Sequence, residues 1–573
     1  MREILAVIPA RSGSKRIRNK NLRLLRGRPL IAYVLETALA SRYISTIVVS
    51  SDSDQVLSFA GNFRNMSHQR QAVGARFKDI ILRKRPPELT GDEVTLDPVV
   101  YDSTNFAEAH TGKRYEIVIT LQPTSPTLSV RTLDTAIENF LEWSYDSLLS
   151  VVEDTCLRWR LVSNKPVPLY EERLNSQWLP REYKETGAFL ISRREVLSPH
   201  TRLGHRVGIY PLPVEEALDI DDPFDWLLAD AFLSRVKIAF VVVANKQVGM
   251  GHLYRCITLA DAFLGHSIRM YGVNCSGEAL KVAADYGYVL EPYPNLDAVC
   301  EGINDFIPDI VVNDVLDTEA SYIEKLRKAG YFVVNFEDLG PGSARAHLVF
   351  NALYELSDPP PNHMYGPRYV CLREEFQLAQ PAPFRDPART LLVTFGGVDE
   401  CNLACKTLKA LPKILTTTTL EKVIVVLGPA YSHREELERA LATLPPAVRD
   451  RIEIYNTVSN MAELISHADV AVTSNGRTVY ELAAMGIPAI TIAQNDRETL
   501  HLFSRYSRGF RYLGQGSNVS VELIATAIRE IVEDRAQREN MRSALLQVDI
   551  RGGLERVRRK IINCYWRWKN EVY

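Results

Sequence analysis

In the first part of the chain, unbroken apolar runs alternate with stretches of helical spacing. The runs Ile4–Ile8, Ile47–Ser51, Ile117–Leu121 and Leu148–Val152 predict strands, and Leu30–Ala40 and Leu133–Trp143 predict helices between them. Such alternation predicts a mostly parallel sheet covered on both faces, with ligands at the carboxyl ends of its strands. Asp225–Leu233 reads as the closing helix of this unit. The pattern then restarts: a strand over Lys237–Asn245, a turn containing Gly249 and Gly251, and a helix to Ala262. Further strands are predicted at Ile310–Val312, Phe332–Asn335 and Leu348–Asn351. A proline-rich link, Gln380–Pro387, precedes Leu391–Phe395, which runs into Gly396-Gly397. Strands at Val423–Leu427, Ile452–Tyr455, Val470–Thr473 and Ala489–Ile492 follow, then helices over Val521–Leu546 and Leu554–Asn570. The predicted architecture is α/β throughout. A Rossmann-like domain spans 1–235, and a two-lobed GT-B-like domain spans 236–573, with lobes of about 236–385 and 386–550 and C-terminal helices beyond.

Composition changes this picture little. The 573 residues are 46% hydrophobic and 24% charged, an ordinary globular balance with ample core. The net charge of −2 argues against nucleic-acid or membrane partners. The eight cysteines form no C-x-x-C pair and read as thiols of a reducing compartment. Two apolar runs, Ile4–Ala10 and Ile238–Ala244, fall far short of the roughly 20 residues that a membrane helix needs. A cytoplasmic protein is expected.

The chemistry begins after the first strand. The loop to Asn21 combines Gly13, Ser12 and Ser14 with Arg11, Lys15, Arg16, Arg18 and Lys20. Glycine lets backbone N–H groups approach phosphate oxygens, and the cations offset the remaining charge. The P-loop spacing G-x-x-x-x-G-K-S/T is absent, so this is a triphosphate loop of another kind. Asp219 and Asp221 stand two apart on a β-like segment, which places both carboxylates on one side, suited to Mg²⁺. Asp225 is the weaker ligand candidate, since it can cap the next helix.

The loop Ile8–Asn21 resembles the signature of the acylneuraminate cytidylyltransferases. The resemblance continues in order through Ile47–Asp54, Arg85–Leu89 with Asp92, Leu121–Pro126 (LQPTSP), Lys184–Phe189 and Leu218–Asp225. It implies a GT-A-like nucleotidyltransferase fold and attack of a sugar-acid hydroxyl on the α-phosphate of CTP, releasing pyrophosphate. Arg11, Ser12, Gly13, Lys20 and Asn21 would then hold the triphosphate and cytidine, with Lys20 also catalytic. Arg85 and Asp92 would help hold the nucleotide, and Gln122 would face the sugar. Asp219 and Asp221 would carry Mg²⁺ or another divalent cation. Tyr183 and Phe189 are candidate walls of the sugar pocket. A homodimer through this domain is the expected assembly, and a nonulosonic acid, pseudaminic acid foremost, the expected acceptor.

In the second half, His252 follows a glycine turn and opens a helix, a place from which an exposed imidazole reaches a ligand beside the helix N-terminal amides. The surrounding segments are similar to the UDP-sugar hydrolase of pseudaminic acid synthesis. They are Gly249–Arg255, Asn313-Asp314, Phe336–Asp338, Tyr369–Phe376, Gly396–Asp399, Ala468-Asp469, Gly476–Glu481 and Gly486–Pro488. That similarity implies cleavage of a UDP-linked diacetamido-trideoxy sugar without a cofactor. His252 would deprotonate or orient water, Gly251, Gly396, Gly397, Gly476 and Thr478 would admit the diphosphate, and Glu481 would accept the ribose hydroxyls. Arg477 replaces the usual serine, and Asn495-Asp496 replaces Asn-Gln, both where sugar and phosphate would bind. A glycosyltransferase and a silent nucleotide-sugar-binding module stay open as alternatives for this half.

Overall fold

The structure is a computed structural model, and it describes residues 2–70, 78–245, 247–354, 358–428, 430–456, 458 and 460–572. The chain divides into two compact units, Met1–Arg235 and Val236–Tyr573.

The first unit is built on one sheet. Its strands are Ile4–Pro9 (β1), Thr46–Ser51 (β2), Asp79–Lys84 (β3), Ile117–Leu121 (β4), Ser147–Glu153 (β5), Tyr183–Arg193 (β6) and Val207–Pro211 (β7), in the order β7-β5-β6-β4-β1-β2-β3. β1 is buried along its whole length. Ile4, Ala6 and Ile8 pack in the core on one face, and Leu5 and Val7 pack with Val48 and Val118 on the other. A strand with no solvent face has no reason to alternate, and this explains its unbroken apolar run. β6 is antiparallel to β4 and β5, so the sheet is mixed. The helix Val130–Glu142 (α1) buries Leu133, Ala136, Ile137 and Phe140, one stripe at helical spacing. It starts where the Ser129 hydroxyl accepts from the Thr132 amide. Truncating its fully buried Phe140 to Ala would cost about 3–5 kcal/mol. Outside the sheet, Trp159–Val162 and Lys165–Pro168 form a two-stranded ribbon exposed at every position.

The second unit contains two parallel sheets. The first lobe has Lys237–Val243 (β8), Ser267–Val273 (β9), Leu290–Tyr293 (β10), Ile310–Asp314 (β11), Phe332–Phe336 (β12), Leu348–Asn351 (β13) and His363–Tyr365 (β14), in the order β10-β9-β8-β11-β12-β13-β14. The second lobe has Thr390–Thr394 (β15), Lys422–Val426 (β16), Ile452–Tyr455 (β17), Val470–Ser474 (β18), Ala489–Ala493 (β19) and Phe510–Gln515 (β20), in the order β17-β16-β15-β18-β19-β20. The last helix, Gly553–Val572, returns to the first lobe, where Val557, Ile561 and Tyr565 join a core with Phe240 and Phe332. This is a GT-B-like arrangement.

In all three sheets the strand order reverses at the first strand, β1, β8 or β15. Such a reversal opens a crevice at the carboxyl end, where open α/β sheets bind ligands. The cationic loop follows β1, and the two glycine turns follow β8 and β15. No helix among the described residues is long and apolar enough to cross a membrane.

Candidate active sites

The cationic loop of the first unit is anchored at both ends. The Ser12 amide and hydroxyl donate to the two carboxylate oxygens of Asp52, at 2.7 and 2.6 Å, just beyond β2. Partial burial pushes the Asp52 carboxyl up, but the Ser12 donors and the Arg85 guanidinium outweigh it and hold it below the usual range. Arg85 is buried and donates to the Ser50 carbonyl and hydroxyl, so it supports the end of β2. Asp92 gathers Arg11 at 3.1 Å and Lys15 at 2.7 Å. Asn21 is buried and donates to the Arg11 carbonyl. A Cβ at Gly13 would meet nothing nearer than Asp92 Oδ1 at 4.0 Å, so the protein's own packing does not demand this glycine.

Lys20 reaches from the loop to the segment before the last helix of the unit, donating to the Ile220 carbonyl at 2.7 Å and meeting Asp221 at 3.4 Å. Residues 217–221 form no strand, contrary to the β-like segment expected there. The Ile220 amide instead bonds to the Thr124 carbonyl, which docks the segment on the turn after β4. Asp219 thereby comes to Gln122 and Gly187: a Cβ on Gly187 would lie 3.1 Å from Asp219 Oδ2 and 3.2 Å from Gln122 Nε2. Gly187 is the position whose missing side chain admits both groups. Asp219 Oδ1 is buried without a hydrogen-bond partner, and burial together with the Asp221 charge pushes its carboxyl up. Asp225 accepts from the Asp221 and Asp222 amides and caps the helix Pro223–Leu233. Phe189, a candidate pocket wall, lies in the hydrophobic core, and Tyr183 sits at the exposed outer end of β6.

An unpartnered buried carboxylate oxygen beside a second carboxylate suits a divalent cation. No group of three His, Cys, Asp or Glu side chains among the described residues is placed to share one. Asp219 and Asp221 alone match Mg²⁺, which commonly takes one or two carboxylates and fills its sphere with phosphate oxygens and water.

The second unit holds a cleft of about 820 Å³ lined from both lobes. Its floor is glycine. Gly249 and Gly396 adopt positive φ, +80° and +74°, where a side chain would be strained. A Cβ on Gly397 would stand 3.9 Å from the Gly249 Cα, so the two turns face each other. Gly428, which the sequence reading missed, packs so closely that its Cβ would lie 2.2 Å from the Gly396 carbonyl oxygen.

His252 stands in the first turn of the helix Gly251–Ala262 (α2), with its Nδ1 2.5 Å from Asp314 Oδ1 at the end of β11. Its side chain is only 12% exposed, not the open position expected of a helix-opening turn, because α2 packs against that strand end. Asp314 is fully buried and gripped by Arg255 Nε and Nη2. Arg255 Nη1 continues to Glu337 at 3.0 Å. Burial alone would push the Asp314 carboxyl up, but Arg255 and His252 hold it well below the usual range. Burial pushes the His252 imidazole below its ordinary value. The ring is therefore neutral near pH 7. Against an ionised acceptor the proton resides on Nδ1, which leaves Nε2 as the basic nitrogen.

The other expected contacts are placed differently. Arg477 Nη1 donates to the Gly251 carbonyl at 2.5 Å, and its Nη2 is buried without a partner. It therefore ties the glycine turn of one lobe to the helix Thr478–Met485 (α3) of the other. Glu481 on α3 accepts two bonds from Arg373, which also meets Glu375 at 2.7 Å. Asn495 caps the short helix Asp496–Thr499, and Asp496 accepts from Gln515. Gly476, Thr478 and Glu481 line the cleft with Gly251, Gly396 and Gly397.

A cationic, glycine-containing turn at the switch point of a mixed α/β sheet, joined through Lys20 to a segment with two carboxylates, is a nucleotidyltransferase-like arrangement. Comparison with known proteins gives this a family. The Cytidylyltransferase family model matches residues 5–203, and the Glycosyltransferase family 28 C-terminal domain model matches residues 390–556. The chain is 30% identical over 259 residues to the CMP-N,N'-diacetyllegionaminic acid synthase of Legionella pneumophila, covering 42% of this chain and 99% of that one. It belongs to the cytidylyltransferase family. It is also 30% identical over 242 residues to N-acylneuraminate cytidylyltransferase A of Danio rerio, covering 40% and 50% of the two chains. The chain spans about half the length of several of the curated relatives it matches. Along almost its whole length it is 22% identical to a Helicobacter pylori protein, covering 91% of this chain and 93% of that one. The latter is named pseudaminic acid cytidylyltransferase and UDP-2,4-diacetamido-2,4,6-trideoxy-beta-L-altropyranose hydrolase.

Proposed function

We propose that the chain is a bifunctional enzyme of nonulosonic acid synthesis. Its first unit transfers CMP from CTP to a nine-carbon 2-keto sugar acid, pseudaminic acid foremost, and its second hydrolyses a UDP-linked diacetamido-trideoxy sugar. For the first unit the supporting observation is the convergence of Gln122, Gly187 and Asp219 at a segment that Lys20 joins to the cationic loop. The loop cations offset the triphosphate charge, and Lys20, between loop and acids, stands to stabilise the charge that develops on the α-phosphate. Gln122, held beside the buried Gly187, receives the sugar acid. Asp219 and Asp221 would hold Mg²⁺, which lowers the pKa of a bound hydroxyl and neutralises phosphate charge.

For the second unit the supporting observation is His252 held neutral and oriented by Asp314. Nε2 takes a proton from water, the resulting hydroxide attacks the anomeric carbon, and the bond to the diphosphate oxygen breaks with its electron pair leaving on UDP. Arg255 keeps Asp314 ionised, so Asp314 can stabilise the imidazolium that forms. UDP released from a UDP-sugar without any acceptor, and lost in His252→Asn with CMP transfer intact, supports this reading. Acceptor-dependent release would make the unit a glycosyltransferase, and binding without release would make it a regulatory module.

The exposed ribbon supports a homodimer. Trp159, Leu161, Val162 and Val167 on it, with Trp178 beyond it, present apolar surface to solvent, and Trp178 is 70% exposed. A second copy of the same domain is the partner we assign to it.

A further inference from the structure

Several acids line the second unit's cleft without a part in the hydrolysis above, Glu400 and Glu498 among them. Glu498 lines the cleft on the short helix that follows β19. Its Oε2 accepts from the Gln494 amide at 2.9 Å. Its Oε1 lies against the glycine turn that opens α3, 3.2 Å from where a Cβ on Gly476 would stand. Beside this turn, a Cβ on Gly396 or Gly397 would meet nothing nearer than 3.9 Å, and that is where a phosphate has room.

We propose that Glu498 is a binding residue of this cleft, which meets the diphosphate of the nucleotide as a neutral acid donating an O–H hydrogen bond. The affinity of the cleft for a nucleoside diphosphate is then tied to the protonation of this one side chain. The inference rests on the reading of the cleft as a nucleotide-sugar site.

The surroundings favour a proton. An ionised carboxylate cannot share a pocket with a diphosphate unless a cation or a proton removes its charge. The charged groups facing Glu498 from the turn after β15 are Asp399 and Glu400, themselves acids. Cys401 and Tyr512, from that turn and from β20, add only groups that are neutral at pH 7, since burial pushes both up. On its own helix, Asp496 is a further acid, and the guanidinium of Arg497 is committed to Asp317, Tyr354 and the Glu337 carbonyl. Arg477, on the turn that Glu498 touches, gives its Nη1 to the Gly251 carbonyl, and its buried Nη2 has no protein partner. Burial, with Glu400 and Asp399, pushes the Glu498 carboxyl up to about 7, against the pull of the Gln494 and Asn475 backbone amides. Protonated, it becomes a donor beside the Gly476 turn.

The test is calorimetric titration of the full chain with UDP, in EDTA, at pH 7, 8 and 9, and with uridine as the phosphate-free control. The terminal phosphate of UDP is ionised across this window, its second pKa being about 6, so the ligand's own charge stays nearly constant. Ionisation of Glu498 removes the binding form, so Kd for UDP rises towards tenfold per pH unit above about 7. Uridine shows no such slope. Glu498→Gln keeps a donor that cannot ionise, so its UDP affinity is expected to be flat with pH. Glu498 belongs to the second unit alone, so the slope that the substitution removes belongs to this cleft. Glu400→Gln, which removes one neighbouring charge, moves the onset of the slope to lower pH. UDP binding with no slope in the wild type, a slope that persists in Glu498→Gln, or an onset unmoved in Glu400→Gln overturns the inference and leaves the nucleotide-site reading standing. Failure of the wild type to bind UDP at pH 7 overturns that reading and the inference with it.

Discussion

Replacing Asp314 by Asn tests the catalytic reading of the second unit through a residue that touches no substrate. The introduced amide keeps the shape of the carboxylate but cannot demand a proton from His252 Nδ1, so the ring loses the bias that leaves Nε2 basic. Loss of the tautomer and of imidazolium stabilisation is worth about 10²–10⁴-fold in rate. Stability falls as well. Arg255 meets Asp314 through two nitrogens and Glu337 through one, all buried, so the substitution removes the larger part of its compensation. Removing one partner of a buried ion pair costs about 3–5 kcal/mol, an upper bound here because the amide oxygen still accepts. That is a large fraction of the roughly 5–15 kcal/mol of a typical domain, yet below most of it. The pH profile separates this account from a simple titration effect. The Asp314 charge raises His252, so its removal lowers the imidazole further and leaves it neutral over a wider pH range. Raising the pH therefore does not restore UDP release, which is followed by coupled-enzyme detection of UDP, with melting curves as the control for folding. A folded variant with near wild-type UDP release, or one rescued at high pH, refutes the reasoning.

Asp219→Asn and Asp221→Asn should each lower cytidylyl transfer by about 10²-fold or more, the scale of a lost principal electrostatic group, with the melting temperature retained; pyrophosphate release at saturating Mg²⁺ checks this. Asp52→Ala leaves the Ser12 amide and hydroxyl without their acceptor, and hydrogen bonds to a charged group are worth about 1.5–3 kcal/mol, so kcat/KM for CTP should fall by about 10–100-fold. Light scattering of Trp159→Ser and Trp178→Ser proteins should show monomer where the wild type is a dimer; a wild-type monomer removes the ribbon from the assembly. A chain ending at Ser234 should keep CTP-dependent transfer, and a folded but inactive product shows that the second unit contributes to the first site.

Legibility followed burial. β1, β2, β4, β8 and β15 lie inside their sheets, so both faces are apolar and the strands appear as unbroken runs. β7 is an edge strand with exposed residues at alternate positions, β10 is a short edge, and β20 is half-buried along most of its length, so none announces itself. The antiparallel direction of β6 was illegible because its polar outer end and a register shift between Glu185 and Leu190 break the apolar pattern. In the sites, Arg11, Lys20, Asp219 and His252 carried their own local signals. Asp52, Asp314 and Arg373 fell within the motif segments, but their partners did not show, being distant in sequence and brought close only by the fold. Gly428 had no signal beyond being a glycine after a strand, and Glu498 none, since its surroundings come from separate loops.

The central claim is that the first unit makes a CMP-linked sugar acid. Its direct measurement supplies the purified chain with CTP, Mg²⁺ and a panel of nonulosonic acids and identifies the nucleotide products by mass spectrometry. The account predicts a CMP–sugar-acid product with equimolar pyrophosphate for at least one acid, and its loss in Asp219→Asn. An active, CTP-binding wild type that yields no CMP conjugate with any member of the panel contradicts it.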